Sequence, residues 1–362
     1  MQFALSDDQR MLQDTLRGFV ADKVPLDAVR KATDGDSAVA EAIGAGLAEL
    51  GLPALLVPEG HGGLGLGLVE AAVAQEALGG AVSPAGFTGS ALAAIGIAAA
   101  GNEAQQTELL PAIASGAARY AIALAERTGV RDGTGVSSKD GTLNGTALFA
   151  LDADRATHLL IATSDGALHF LPVDGDGVEA IALTTIDGTR PATEFAFANA
   201  PATPLSGENQ PGAAADRIVA AARLLIAADT LGASQHMLEA AVDYAGQREQ
   251  FGRVIASFQA VKHLCAEMAA KIECARALVW HAAYAFNSGD AEAPVMACLA
   301  KAHLAEVGTF VARTATEVHG GMGFTDLLGL HFWFKRIGAN RQLMGGPERV
   351  RAEAAKMQGW AA

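Results

Sequence analysis

Apolar positions recur along this chain first at helical spacing, then in short runs, then at helical spacing again over longer stretches. Met11, Leu12, Leu16, Phe19 and Val20 return every three or four residues, and Ser6 stands where an N-cap belongs. A second helical pattern runs from Val69 to about Leu78, behind the punctuation Pro58-Glu59-Gly60-His61-Gly62-Gly63-Leu64-Gly65. From Tyr120 the character changes. Short apolar runs begin at Tyr120, Ala147, His158 and His169, and clusters of Gly, Asp, Asn and Ser separate them. That punctuation predicts the strands of a β-domain. The tract from Pro201 through Pro204 to Pro211 and Gly212 reads as a linker. After it, residues 213–246 and 258–287 predict two long helices, with at least two more beyond.

Helices, then strands, then helices point to an α+β chain in three consecutive regions, not to alternating βαβ units. No Rossmann glycine fingerprint or P-loop follows any strand, and no internal repeat is evident. With 51% hydrophobic and 18% charged residues, composition excludes disorder for most of the chain. A net charge of −14 argues against non-specific binding to nucleic acid or an anionic membrane surface. The three cysteines, Cys265, Cys274 and Cys298, lie in helical pattern, which fits free thiols in a reducing cytosol and no metal site. The N-terminal residues lack a basic and apolar leader, and the run 91–101 is too short to span a bilayer, which takes roughly 20 residues. The expected protein is soluble and cytoplasmic.

Two stretches carry candidate chemistry. Arg248-Glu249-Gln250-Phe251-Gly252, running on to Phe258-Gln259, is a helix end, a glycine-relieved turn and a new helix start. A guanidinium beside such a turn suits paired hydrogen bonds to a phosphate. The plain alternative is an exposed arginine paired with Glu249 or a helix C-terminus, contributing about 0.3–1 kcal/mol. Glu317-Val318-His319-Gly320-Gly321 is a helix C-terminus opening into a glycine loop, where backbone can approach a ligand closely.

In this order, inside an Ala-rich helical C-terminal half, the two stretches resemble the acyl-CoA dehydrogenase family. The Pro58–Gly65 loop is similar to that family's Pro-Glu-x-x-Gly-Gly loop. The resemblance spans essentially the whole chain and implies a helical N-terminal domain over 1–118, a middle β-barrel or sandwich domain over 119–210 and a C-terminal four-helix bundle over 211–362. It implies FAD as cofactor, an acyl-CoA substrate and electron-transfer flavoprotein as acceptor. Its Arg-x-x-Phe-Gly motif maps to Arg248 and Phe251, with Gln259 beyond, contacting the FAD pyrophosphate commonly across a subunit interface. Its Gln-x-x-Gly-Gly motif maps to Glu317, Gly320 and Gly321, with glutamate where glutamine is usual. A glutamate accepts hydrogen bonds without donating them.

The chain also departs from the family. Where the base glutamate commonly stands, the sequence reads Met344-Gly345-Gly346-Pro347, and the second position used by some branches is Ala222, ahead of the expected, substrate-binding Arg223. Glu348 is a weak substitute, since an acidic residue in a first helical turn is ordinary dipole chemistry. The middle domain reads Ala125-Glu126-Arg127-Thr128-Gly129-Val130 and Phe149-Ala150-Leu151 where the family's flavin-ring contacts belong. Some bacterial members are α2β2 heterotetramers acting on bulky acyl-CoA thioesters such as steroid side chains, with one subunit bearing the glutamate and its partner lacking it. The resemblance therefore implies a glutamate-less subunit that completes a partner's FAD site. A self-sufficient dehydrogenase with a displaced base, Glu348 or Glu126, and a non-enzymatic acyl-CoA-binding relative stay open at this stage.

Overall fold

The computed structural model describes residues 4–124, 134–207 and 212–360. Its elements follow the expected helix–strand–helix order. The N-terminal helices are α1 (Asp7–Lys23), α2 (Leu26–Thr33), α3 (Ser37–Glu49), α4 (Leu68–Gly80), α5 (Thr88–Ala100) and α6 (Glu103–Ala114). Ser6 caps α1 in a capping box with Gln9, each side chain accepting the other's backbone N–H. Leu16 and Val20 are buried, whereas Met11 at the same spacing is 65% exposed, so the apolar stripe is narrower than the pattern suggests. The glycine-rich punctuation folds as a compact loop with a 3-10 turn at Glu59–His61.

The strands are β1 (Tyr120–Ala123), β2 (Gly135–Lys139), β3 (Thr142–Ala150), β4 (His158–Ala162), β5 (Leu168–Pro172), β6 (Val178–Leu183), β7 (Ala192–Pro201) and β8 (Thr203–Pro204). They form two sheets, ordered β1-β4-β5-β8 and β2-β3-β7-β6. β1 lies parallel to β4, and every other pairing in these two sheets is antiparallel. Ala121, Leu159 and Ile161 from one sheet share a core with Leu143, Phe195 and Phe197 from the other, as in a sandwich. The expected linker begins as structure: Thr203 and Pro204 pair with Phe170 and His169 at the edge of the first sheet. An edge is where a strand tolerates proline.

The C-terminal elements are α7 (Ala213–Gln247), the short strands β9 (Glu249–Gln250) and β10 (Arg253–Val254), α8 (Gln259–Asn287), α9 (Ala293–His319), α10 (His331–Gln342) and α11 (Pro347–Met357). The chain divides into two compact units, one of Met1–Asp34, Ala72–Ser83 and Arg223–Ala362, the other of Gly35–Ala71 and Pro84–Ala222. The second unit holds the sandwich, and there the Asp152 carboxylate accepts Gly89 N–H at the start of α5. α7 is long and apolar enough to cross a membrane, but 94% of its most apolar stretch is buried, as expected of a core helix.

In the first unit α4 and α7 cross backbone to backbone. A Cβ on Gly79 would collide with the Asp229 backbone, and one on Gly232 with Glu76 O. Beside that crossing lies a polar core. Asp229 is fully buried and accepts from Gln75 Nε2 at 2.7 Å, Asn340 Nδ2 at 2.7 Å and Arg336 Nη1 at 3.3 Å. Arg336 Nη2 donates to Ser83 O at 3.0 Å. These bonds fix the register of α10, and with it the turn that follows.

Candidate functional site

α7 ends one residue before Arg248, whose backbone N–H donates to Tyr244 O at 2.8 Å. Glu249–Gln250 and Arg253–Val254 then form a small hairpin, with Phe251 and Gly252 both at positive φ in its two-residue turn. Ile255 N–H closes the segment onto Arg248 O at 2.8 Å. Phe251 is 93% exposed and meets Phe258 edge-on, while the Arg253 guanidinium lies over the Phe258 ring at 4.0 Å. The Arg248 guanidinium is exposed, and neither Glu249 nor any other described residue pairs with it. Gln259, the first residue of α8, is exposed as well.

Glu317 sits exposed in the last turn of α9, and exposed Gly320 and Gly321 follow it. The space where their Cβ atoms would stand is open. Tyr244 stacks on His319 with ring centroids 4.6 Å apart, which ties the end of α7 to the end of α9. His319 Nδ1 lies 2.7 Å from Ala315 O, and since a carbonyl only accepts, that nitrogen carries the proton. This stack brings the two motifs selected from sequence to one edge of the first unit. Phe324 and Leu327, 74% and 73% exposed, stand in solvent close behind them in sequence. Tyr244 and His319 also line a cavity of about 760 Å³ with Arg17, Glu76, His236 and Trp333. His236 stacks flat on Trp333 at 3.8 Å, and burial pushes its pKa down to about 4, so the ring is neutral near pH 7.

The turn between α10 and α11 is built differently. Met344 and Gly345 both have positive φ, +58° and +99°, and Gly346 begins α11 as its N-cap. Arg223 is 3% exposed; its Nε donates to Met344 O at 3.0 Å, its Nη1 lies 3.1 Å from Cys298 Sγ, and its Nη2 pairs with Glu353 at 2.6 Å. Lys301, 1% exposed, donates to Arg341 O at 3.1 Å and to Gly345 O at 3.2 Å. Desolvation, reinforced by the neighbouring Arg223 and Arg341 charges, pushes the Lys301 ammonium down to about 7. Burial pushes the Cys298 thiol up, against the lowering effect of Arg223.

Gly345 carries no base, and Ala222 is buried within α7. Glu348, the weak substitute for the base, does not stand in an apolar pocket: its side chain is 75% exposed and pairs with Arg341 at 3.2 Å in the first turn of α11. Arg223, expected to face substrate, spends its nitrogens inside the protein. Phe149 stands half-buried at positive φ, at an irregularity in β3 between Ala147 and Ala150. Residues 125–130, with Glu126 among them, lie outside the described residues. Sequence reasoning missed Lys301, although a lone lysine within Cys298-Leu299-Ala300-Lys301-Ala302 is a visible break in an apolar helix.

Residues 213–358 match the domain described as acyl-CoA dehydrogenase, C-terminal domain, and residues 6–117 match the corresponding N-terminal domain. The chain belongs to the acyl-CoA dehydrogenase family. It is 30% identical over 345 residues to the acyl-CoA dehydrogenase IpdE2 of Mycobacterium tuberculosis, covering 95% of each chain. Among solved structures it is similar to a variant of the Tcur3481-Tcur3483 steroid acyl-CoA dehydrogenase, with 27% identity, a TM-score of 0.89 and 98% of each chain covered. It shares its fold with the ChsE4-ChsE5 complex of Mycobacterium tuberculosis at 22% identity and a TM-score of 0.90, covering all of both chains. The cofactor is FAD, as in this family. The exposed edge suits that group: an unpaired guanidinium, a free carboxamide and an open glycine backbone are a fitting donor set for a diphosphate and a ribose.

Proposed function

We propose that this chain is the glutamate-lacking subunit of a hetero-oligomeric acyl-CoA dehydrogenase and that it completes its partner's FAD site. The observation that carries the reading is the contrast between its two candidate regions. Every residue suited to hold the cofactor, Arg248, Phe251, Gln259, Glu317, Gly320 and Gly321, is exposed on the single chain. The position suited to a base holds only Gly345, on a turn bound from inside by buried cations.

In α,β-dehydrogenation a carboxylate takes the α-proton of the acyl-CoA, and FAD, when bound, takes the β-hydrogen with its electron pair. This chain's residues contribute to the second half. Arg248 grips the pyrophosphate through paired, charge-assisted hydrogen bonds. Gly320 and Gly321 admit the adenosine end close to backbone, Gln259 offers an amide donor, and Glu317 accepts from a hydroxyl. The α-proton is taken by the partner's own glutamate. The steroid activity of the Tcur3481-Tcur3483 relative favours a bulky, ring-bearing acyl-CoA thioester as substrate. Electron-transfer flavoprotein is the proposed acceptor, an α2β2 tetramer the proposed assembly and the cytoplasm the proposed location.

The test is co-expression with the product of the neighbouring gene, compared with this chain alone. Flavin absorbance and its bleaching by acyl-CoA are expected in the complex only. Strong flavin and turnover from the lone chain would sink the proposal.

A further inference from the structure

The turn 343–346 does more than lack a glutamate. Its two central residues lie in the left-handed region, where any residue with a Cβ is strained. A Cβ added at Gly345 would stand 3.1 Å from Val350 Cγ1, a tight contact to which that side chain must yield, and 3.6 Å from Arg223 Nη2, an ordinary contact, so the left-handed backbone (φ +99°) is the main obstacle to a side chain there. What holds the backbone in this form is a pair of cations reaching its carbonyls from two different helices. Arg223 comes from α7 and takes Met344 O; Lys301 comes from α9 and takes Gly345 O together with Arg341 O at the end of α10. Arg223 is itself braced by Glu353 on α11 and Cys298 on α9. The four helices that meet at the turn each supply an anchor.

We infer that Arg223 and Lys301 are positioning residues that clamp the 343–346 turn in a left-handed form that strains any side chain placed at 345. The absence of a base is then written into the backbone and its clamp, and a glutamate placed at 345 would not by itself restore one. The functional meaning rests on the glutamate-less reading proposed above; the clamp does not.

A coupling measurement tests it on the chain itself. Gly345→Ala should lower Tm by roughly 2–6 °C, the cost of forcing a Cβ into left-handed backbone. In a Lys301→Met background the same substitution should cost less than half as much, because the released turn relaxes around the new Cβ. Equal losses in both backgrounds, or no loss in either, would overturn the clamp. Lys301 also leaves its own signature. With its folded pKa near 7 and an unfolded value of 10.5, the unfolded chain binds the extra proton between these limits. Stability therefore rises with pH across that window. The charged and titratable groups around it are Arg223 from α7, Cys298 from its own helix, Arg341 from α10 and Glu353 from α11. Lys301→Met should abolish its share of that slope.

If Lys301→Met does not fold, a pH series on Gly345→Ala replaces it. A Tm loss that shrinks as pH rises from 7 to 10 supports the clamp, and a constant loss rejects it. Flavin content of the complex reports separately on the functional proposal, so the two can fail independently.

Discussion

The 343–346 turn and the edge carrying Arg248 and Gly320 sit in the same unit and are built on opposite plans. At the turn, Arg223 and Lys301 are almost wholly buried: Lys301 and Arg223 Nε donate to the chain's own carbonyls, and the other Arg223 nitrogens face Cys298 and Glu353. At the edge, the Arg248 guanidinium has no partner among the described residues, and Phe251, Phe324 and Leu327 stand in solvent. Buried cations engaged inside the chain are structural, since removing one partner leaves the other buried and uncompensated. An exposed guanidinium without a partner and large apolar side chains left in solvent are the features of a surface that a ligand or partner would cover. A family motif whose polar groups remain unspent is the better candidate for holding a ligand, and one whose groups are consumed internally is the better candidate for a structural part.

Arg336→Met leaves Asp229 buried without its cation and should cost about 3–5 kcal/mol of stability, read from urea denaturation. A loss below 1 kcal/mol would mean that this polar core is not what fixes α10. Arg248→Ala should do the reverse. Stability should stay within about 0.5 kcal/mol, as for an exposed side chain without partners. FAD affinity of the complex should fall roughly 10- to 100-fold, the weight of about 1.5–3 kcal/mol in charged hydrogen bonds. Flavin absorbance after gel filtration checks it, and unchanged flavin content removes Arg248 from the site.

Much of this was legible in the chain. Helical periodicity and Ser6 located α1, and the short runs at His158 and His169 became the hairpin β4–β5, because local pattern and local structure agree there. Arg248 and the Gly320 loop stand at helix ends as the sequence suggested, because that placement is local: a motif at a helix end stays at a helix end. Long-range partnerships were not legible. Nothing around Glu348 reveals that Arg341 pairs with it, and nothing around Arg223 reveals that Met344, Cys298 and Glu353 converge on it. Such contacts depend on which helix faces pack together. The Tyr244–His319 stack joins residues far apart in sequence, and only the packing of α7 beside α9 reveals it.

That stack gives a finer test of the edge. Tyr244→Leu removes about 0.5–1.5 kcal/mol of ring–ring interaction and uncouples the Arg248 segment from the Gly320 loop. A small fall in Tm with a several-fold weaker hold on flavin is expected in the complex. A fall in Tm with full flavin retention would show that the two motifs act separately.

The smallest expected effect decides the last alternative for the base. Glu348 is three-quarters exposed and pairs with Arg341, so its carboxylate lacks the apolar surroundings that raise a catalytic pKa. Glu348→Gln should keep acyl-CoA-dependent flavin bleaching in the complex at its original rate. It should cost less than about 1 kcal/mol of stability, the range of a surface ion pair. A rate falling 100-fold or more while flavin stays bound would make Glu348 the base after all. The clamped turn beside it would then be the frame of an active site and not the seal on a vacated one.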